Sequence, residues 1–257
     1  MRILFLGDIV GQPGRATVKA HVRRLRAEAG LDLVLANGEN ASGGFGLSAK
    51  NVPELFAAGI DGLTSGNHIW KFKNLWNELD SDQRLLRPHN QPQGAPGTGV
   101  RVFRLPGLPP VAVINLQGRT FMTPTDCPFA AAEAALDELA DIPVRVVDFH
   151  AEATSEKLAM AHFLDGRVSA LVGTHTHVQT NDAVVLPGGT AYITDLGMCG
   201  PARSCIGMRP EAILERFRTG LPVKFEVAPG PGVLQGAVFD IDDTTGRALS
   251  MAPFRQE

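Results

Sequence analysis

The stretch GTHTHVQT at residues 173–180 sets two histidines, His175 and His177, one residue apart behind a glycine. Residues i and i+2 of a strand point to one side. Two imidazoles at that spacing can serve one metal ion, or two neighbouring ions where the chain turns. Taken alone, the pair fits a polar strand end with two solvated side chains equally well. The rest of the chain adds to it. Gly7-Asp8, Asn37-Gly38-Glu39-Asn40, Gly66-Asn67-His68 and His150 each follow an apolar run, as His175 and His177 do. Almost no lysine or arginine sits among these residues. Carboxylates and neutral imidazoles without basic neighbours are metal ligands more readily than ion-pair partners.

Each of these residues also has a purely structural use. Asp8 can form a turn, Asn37 and Asn40 can satisfy loop backbone through Asx turns, and Asn67 can take a left-handed position. For Asn37 the structural use is the preferred reading. Their joint placement is what argues for chemistry.

The elements that must position them alternate through the first two thirds of the chain. Ile3–Leu6, Leu33–Leu35, Gly62–Thr64, Val144–Phe149 and Ala170–Val172 read as strands, with Val100–Leu105 and Val111–Leu116 between them. Residues 15–29 form a helix with Val18, Val22 and Leu25 on one face and Gly30 as its stop. Residues 49–58, Trp70–Leu79, the run from Pro128 to Ala140, and 154–165 are the further helices. Beyond residue 180 the pattern becomes strand-rich: Ala183–Leu186, Ala191–Thr194, Val223–Val227 and Leu234–Ile241, with one helix at 210–218. A mainly parallel first half and a more antiparallel second half are expected. The fold class is α/β, with two stacked mixed sheets flanked by helices in one domain spanning residues 1–257. In an open α/β sheet ligands bind at the C-terminal strand edge, where the polar residues gather.

Bulk properties narrow the class. The 24 basic and 27 acidic residues leave a net charge of −3, which disfavours a protein that coats a nucleic-acid duplex. No apolar run approaches the roughly 18 residues of a membrane span. The three cysteines, Cys127, Cys199 and Cys205, lack CxxC spacing and suggest reduced thiols and a cytoplasmic location. Gly7, Gly11 and Gly14 are spaced GxxxGxxG, which is not the dinucleotide fingerprint and favours a tight turn. Phe45, in a glycine-rich loop beside Glu39 and Asn40, is placed to stack on a base or to be ordinary surface. Arg203, in the later loop TDLGMCGPARSCIG, could meet a phosphate or serve only as a connection.

The order Gly-Asp, Gly-Glu-Asn, Gly-Asn-His, lone His, Gly-x-His-x-His resembles the calcineurin-like metallophosphoesterases. LGDIVGQPGR at 6–15, ANGENASGGFGLS at 36–48, TSGNHIW at 64–70, DFHAEATSEK at 148–157 and TDLGMCGP at 194–201 are similar to their YmdB-type bacterial branch. Two departures separate the chain from the wider superfamily. Asp8-Ile9-Val10 stands where Asp-x-His is usual, and Glu39 stands where a bridging Asp is usual. Both fit the YmdB-type pattern.

The resemblance implies an α/β/β/α sandwich holding two metal ions per chain, Fe or Mn first, with Zn compatible. It implies that Asp8, Asn40 and His177 hold one ion, that Asn67, His150 and His175 hold the other, and that Glu39 bridges them. His68 matches the histidine that acts on the leaving group. The implied activity is hydrolysis of small phosphodiesters, especially 2′,3′-cyclic nucleotides, by a metal-bridging hydroxide with His68 as general acid. A charge count agrees. Two divalent ions bring about +4; Asp8, Glu39 and a hydroxide return about −3; roughly +1 remains, which suits a diester monoanion better than a monoester dianion. The rival readings are a phosphomonoesterase (a nucleotidase or protein phosphatase) and a regulatory or RNA-binding protein with a structural metal site. The expected partner is a cyclic nucleotide or RNA-like diester, with no membrane. Oligomeric state stays open, a homo-oligomer being one expectation.

Overall fold

The computed structural model describes all residues, 1–257. Strand alternation builds its layers. In β1 (Arg2–Leu6), Ile3 and Phe5 face one way and Leu4 and Leu6 the other, and all four are buried. A strand buried on both faces reads as a continuous apolar run. After the two-residue β2 (Asp8–Ile9) come α1 (Gly11–Ala29), β3 (Leu33–Asn37), α2 (Val52–Ala57), β4 (Gly62–Thr64) and α3 (Trp76–Ser81). Next are β5 (Val100–Phe103), β6 (Val111–Gln117), α4 (Pro128–Glu138), β7 (Val144–His150), α5 (Thr154–Leu164) and β8 (Ala170–Thr174). The chain ends with β9 (Val184–Val185), β10 (Ala191–Ile193), β11 (Met198–Pro201), α6 (Pro210–Thr219), β12 (Gly232–Ile241) and β13 (Ala248–Gln256).

One sheet runs β2-β11-β12-β1-β3-β4, with β13 also paired to β12; the other runs β5-β6-β7-β8-β10-β9. β1, β3 and β4 are mutually parallel, and so are β6, β7, β8 and β10. Most of the later strands, β9, β12 and β13 among them, pair antiparallel. Three apolar clusters separate the layers. Leu4, Leu6 and Ala36 pack with Val18 and Val22 of α1 on the outside of the first sheet. Ile3, Phe5, Leu33, Val113, Val146 and Val172 fill the space between the sheets. Ile114, Val147 and Leu171 meet Leu136 of α4 and Met160 of α5 outside the second sheet. This is the α/β/β/α sandwich expected. No helix is long and apolar enough to cross a membrane.

The local differences have physical causes. The helix expected across Trp70–Leu79 is two 3₁₀ turns, Ile69–Lys71 and Lys73–Leu75, followed by α3. The helix expected at 15–29 begins at Gly11, because Gly11-Gln12-Pro13-Gly14 forms its first turn, where a proline lacking N–H is tolerated. Val223–Val227 forms no strand; only Val227 bridges to Met208. β2, β11 and β13 lack a clear apolar period. The first two are very short, and β13 is a half-exposed edge carrying Pro253, so their strand character comes from the ladders they join.

Candidate metal centre

The parallel strands of both sheets end at one edge, and a polar seam ties the two ends together. Asn37 Nδ2 donates to Asp148 Oδ2 (3.3 Å), and the Ser65 N–H donates to Asn115 Oδ1 (2.9 Å). The first sheet contributes Asp8 beyond β1, Glu39 and Asn40 beyond β3, and Asn67 and His68 beyond β4. The second contributes His150, the last residue of β7, and His175 and His177 beyond β8. Asn37 serves the backbone, as expected: its Oδ1 accepts the Glu39 N–H at 3.1 Å. Two glycines of the motifs are there for contact. A Cβ on Gly66 would collide with the His150 ring, and one on Gly173 with the Thr194 carbonyl oxygen.

A relay of protons sets the histidine tautomers. The Thr174 hydroxyl donates to Asp148 Oδ1 (2.7 Å), so its oxygen accepts from His150 Nδ1–H (2.9 Å). In the neutral ring His150 Nε2 is therefore a lone pair. Around it lie Asn67 Oδ1 at 3.0 Å, His175 Nδ1 at 3.1 Å and Glu39 Oε1 at 3.2 Å. His175 Nε2 is 3.1 Å from Glu152 Oε2, which accepts its proton and leaves Nδ1 as a second lone pair. Four acceptors thus converge on one point, and acceptors facing acceptors require a cation or a proton between them. Glu39, His150 and His175 offer ligand atoms all within 4.8 Å of one another.

A second point of the same kind lies beside it. Asp8 Oδ1 is buried and has no hydrogen-bond partner. His177 Nε2 lies 3.5 Å from it, and His177 Nδ1–H donates to the Ile206 carbonyl at 2.9 Å, so this Nε2 is also a lone pair. Asn40 adjoins both points. Its Nδ2 is 3.2 Å from His177 Nε2 and from Glu39 Oε1, while its Oδ1 accepts from His68 Nδ1 at 2.9 Å. Of the expected ligands, Asn40 is the one whose amide nitrogen faces the cluster.

The electrostatics show the same demand for positive charge. Burial pushes Glu39 up, but His150 and then His68 hold it well below the ordinary carboxylate range. Burial likewise opposes Asp8 ionisation, yet the adjacent His177 keeps it low. Burial pushes His150 down, but Glu39 outweighs that and raises it to about 9. His175 falls to about 3, through burial and then the His150 charge. Asp148, deeper still, is raised to about 6 by burial, against the pull of His150 and two threonine hydroxyls. Two buried carboxylates thus draw protons onto histidines for want of a basic side chain. That donor set suits divalent cations.

The turn carrying the two histidines is strained. His175 has φ +103° and His177 φ +63°, in a region non-glycine residues seldom occupy. Asp8 Oδ2 accepts the His175 N–H at 3.1 Å, and a buried ion pair, Lys157 with Asp195, grips the same turn from behind.

Similarity to other proteins fits this geometry. A model of the YmdB-like protein family matches residues 4–254. The chain belongs to the YmdB-like family. It is 50% identical over 252 residues to a 2′,3′-cyclic-nucleotide 2′-phosphodiesterase of Bacillus subtilis, covering 98% of this chain and 95% of that protein. Among solved structures, a hypothetical protein of Thermus thermophilus superposes with TM-score 0.94 at 42% identity, covering 100% of this chain and 99% of that one. A novel phosphatase of Mycoplasma pneumoniae gives TM-score 0.95 at 36% identity, covering 100% and 93%. Within this family the fold is the metallophosphoesterase sandwich.

All eight site residues read from the sequence meet at this edge. Sequence reasoning missed Glu152 behind His175, the Asp148–Thr174 relay behind His150, and the Ile206 carbonyl behind His177. Asp148 and Glu152 lie within DFHAE, two residues either side of His150, which is the signal that was there to find. Arg203 is exposed and does not border the cavity beside the cluster. Phe45 does border it, its ring edge-on to His68 with centroids 5.2 Å apart.

Proposed function

We propose that this protein is a metal-dependent phosphodiesterase of one catalytic domain, acting on small diesters and on 2′,3′-cyclic nucleotides above all. The observation that carries the reading is the convergence of four acceptors, His150 Nε2 among them, beside an orphaned buried Asp8 oxygen. The activity named for the Bacillus subtilis relative supports the choice of substrate.

Asn67, His150 and His175 would hold one ion, Asp8, Asn40 and His177 the other, and Glu39 would serve both. Asn40 would join through Oδ1, which keeps a lone pair beyond the one that accepts His68 Nδ1–H. Fe, Mn and Zn all suit a set of imidazole, carboxylate and amide oxygen. Two divalent ions at such a site supply Lewis acidity and a nucleophilic water at neutral pH.

The chain's own residues do the rest. Asp8 and Glu39 are the only carboxylates of the proposed ligand set, and the absence of lysine or arginine leaves the loaded site mildly positive, which suits a monoanionic diester. His68 is fixed twice, its N–H on Glu39 Oε2 (2.9 Å) and its Nδ1–H on Asn40 Oδ1. Its Nε2 has no protein partner, and the side chain borders the cavity. When water adds to phosphorus and the ester P–O bond breaks, the departing alkoxide takes the Nε2 proton of the imidazolium form of His68, leaving the neutral Nδ1–H ring, which regains a proton from solvent. The 2′ bond named for the relative is the one to assay first.

The test is hydrolysis of 2′,3′-cyclic AMP with added Mn²⁺. His175→Ala is expected to abolish turnover, and His68→Ala to lower kcat by about 10²–10⁴-fold with metal still bound. Equal turnover by wild type and His175→Ala would overturn the reading. The phosphatase described for Mycoplasma pneumoniae supports a second reading, phosphomonoester hydrolysis. A preference for p-nitrophenyl phosphate over its bis ester would establish that instead.

A further inference from the structure

Hydrolysis of a phosphate ester calls for cations, donors and acceptors. The cavity beside the ligand cluster has more than these. It encloses about 300 Å³ and is bordered both by the histidines of the cluster and by an apolar set, Ile206, Met208, Ile213 and Phe225. These four come from the loop before α6, from α6 itself and from the segment after it, far in sequence from every proposed ligand.

Ile206 is the most informative. It is β-branched, yet its φ is +47°, a costly conformation for such a residue. It is 48% exposed. Its carbonyl holds His177 Nδ1–H at 2.9 Å. One residue therefore locks a histidine of the cluster and extends apolar surface into the same cavity. Strained, exposed apolar side chains are kept where function uses them. Phe225 adds a partly exposed ring, with the Arg216 guanidinium 5.7 Å from its centroid.

This wall offers nothing to a phosphate or to ribose hydroxyls. It does suit a flat, weakly polar heterocycle. These four side chains carry no amide or hydroxyl to read a base edge. Of the cavity's polar lining, Glu152 is committed to His175 and Asn40 to Glu39 and His68, which leaves the single hydroxyl of Thr176, on the histidine turn rather than on the apolar wall. The geometry points to a nucleobase subsite, in which Ile206, Met208, Ile213 and Phe225 receive the base of the substrate by packing and stacking without reading its identity. Aromatic stacking is sequence-tolerant because every base has a π-face. The ligand class is therefore nucleoside 2′,3′-cyclic phosphates of any base, purines ahead of pyrimidines by their larger area. This inference rests on the phosphodiesterase reading for its substrate.

The experiment compares 2′,3′-cyclic AMP with 1-O-methylribose 2′,3′-cyclic phosphate, which lacks a base, on the Mn²⁺-loaded enzyme. Phe225→Ala is expected to raise KM for the nucleotide about tenfold with kcat unchanged. It should leave the baseless ester unaffected, and Phe225→Trp should restore the nucleotide KM. Thermal unfolding of each variant checks the fold. Equal losses on both esters would overturn the subsite, as would a wild-type enzyme that handles both equally well, while the phosphodiesterase reading would stand. If wild type hydrolyses neither ester, that reading falls, and a calorimetric titration with adenosine decides the subsite. Binding that Phe225→Ala abolishes supports it, and no binding by wild type overturns it.

Discussion

Two buried polar centres share the histidine turn, and they are built on opposite principles. Behind the turn, Lys157 and Asp195 are fully buried with Nζ and Oδ2 2.7 Å apart. Lys157 also donates to the Thr174 carbonyl (2.8 Å), and Asp195 accepts from the N–H groups of Thr176 (3.1 Å) and Gly197 (2.9 Å). Every charge there has its counter-charge within the chain. In front of the turn, Asp8 and Glu39 face imidazoles and amides, with no lysine or arginine to balance them. The first centre is complete once the chain folds; the second has its carboxylates balanced only by imidazoles and is the proposed place for a cation from outside. A buried charge is tolerable when paired. Placing a closed pair against an open one lets the fold hold His175 and His177 in strained conformations while leaving the ligand atoms unspent.

The contrast can be broken from either side. The largest effect is expected from Lys157→Met, which leaves the Asp195 carboxylate buried and unpaired. A loss of about 3–5 kcal/mol should appear as a lower urea midpoint. A loss below about 1 kcal/mol would mean that the rear centre braces nothing. Next in size is ligand linkage. Mn²⁺ at a hundred times its Kd should stabilise wild type by about 2.7 kcal/mol, read as a raised Tm. Asp8→Asn should lose most of that increment while keeping the metal-independent Tm close to wild type. A full increment in Asp8→Asn would take Asp8 out of the centre. The smallest effect sharpens the boundary between the two regions. Thr174→Val removes the relay between Asp148 and His150, which should cost about 1–3 kcal/mol of stability. It should also weaken metal binding by about 10–100-fold, measured by competition with a chelating dye. Unchanged affinity would show that the His150 tautomer needs no support.

Legibility in the sequence followed the range of the interactions. The strands β1, β3, β6, β7 and β8 could be read because continuous burial on both faces forces continuous apolar runs. The eight site residues could be read because each directly follows such a strand or a tight glycine turn. Short and edge strands could not. β2, β11 and β13 have too few residues or too much exposure for a period to show, and Val223–Val227 had the composition of a strand but no partner strand to make it one.

What the sequence alone determined is therefore the two-sheet class, the strand-end location of the polar cluster and the side-chain types gathered there, since these follow from local period and from the absence of basic residues among the polar ones. Only the tertiary structure decided how the two sheets meet. That meeting puts His150 Nε2 against Asn67 and Glu39 from the other sheet and brings Ile206 to His177, while the packing of α5 on the second sheet sets Lys157 under Asp195. Each of these pairs joins residues at least 29 positions apart. No local pattern encodes such contacts, because the hydrogen-bond partner that fixes each tautomer or charge exists only after the layers have packed.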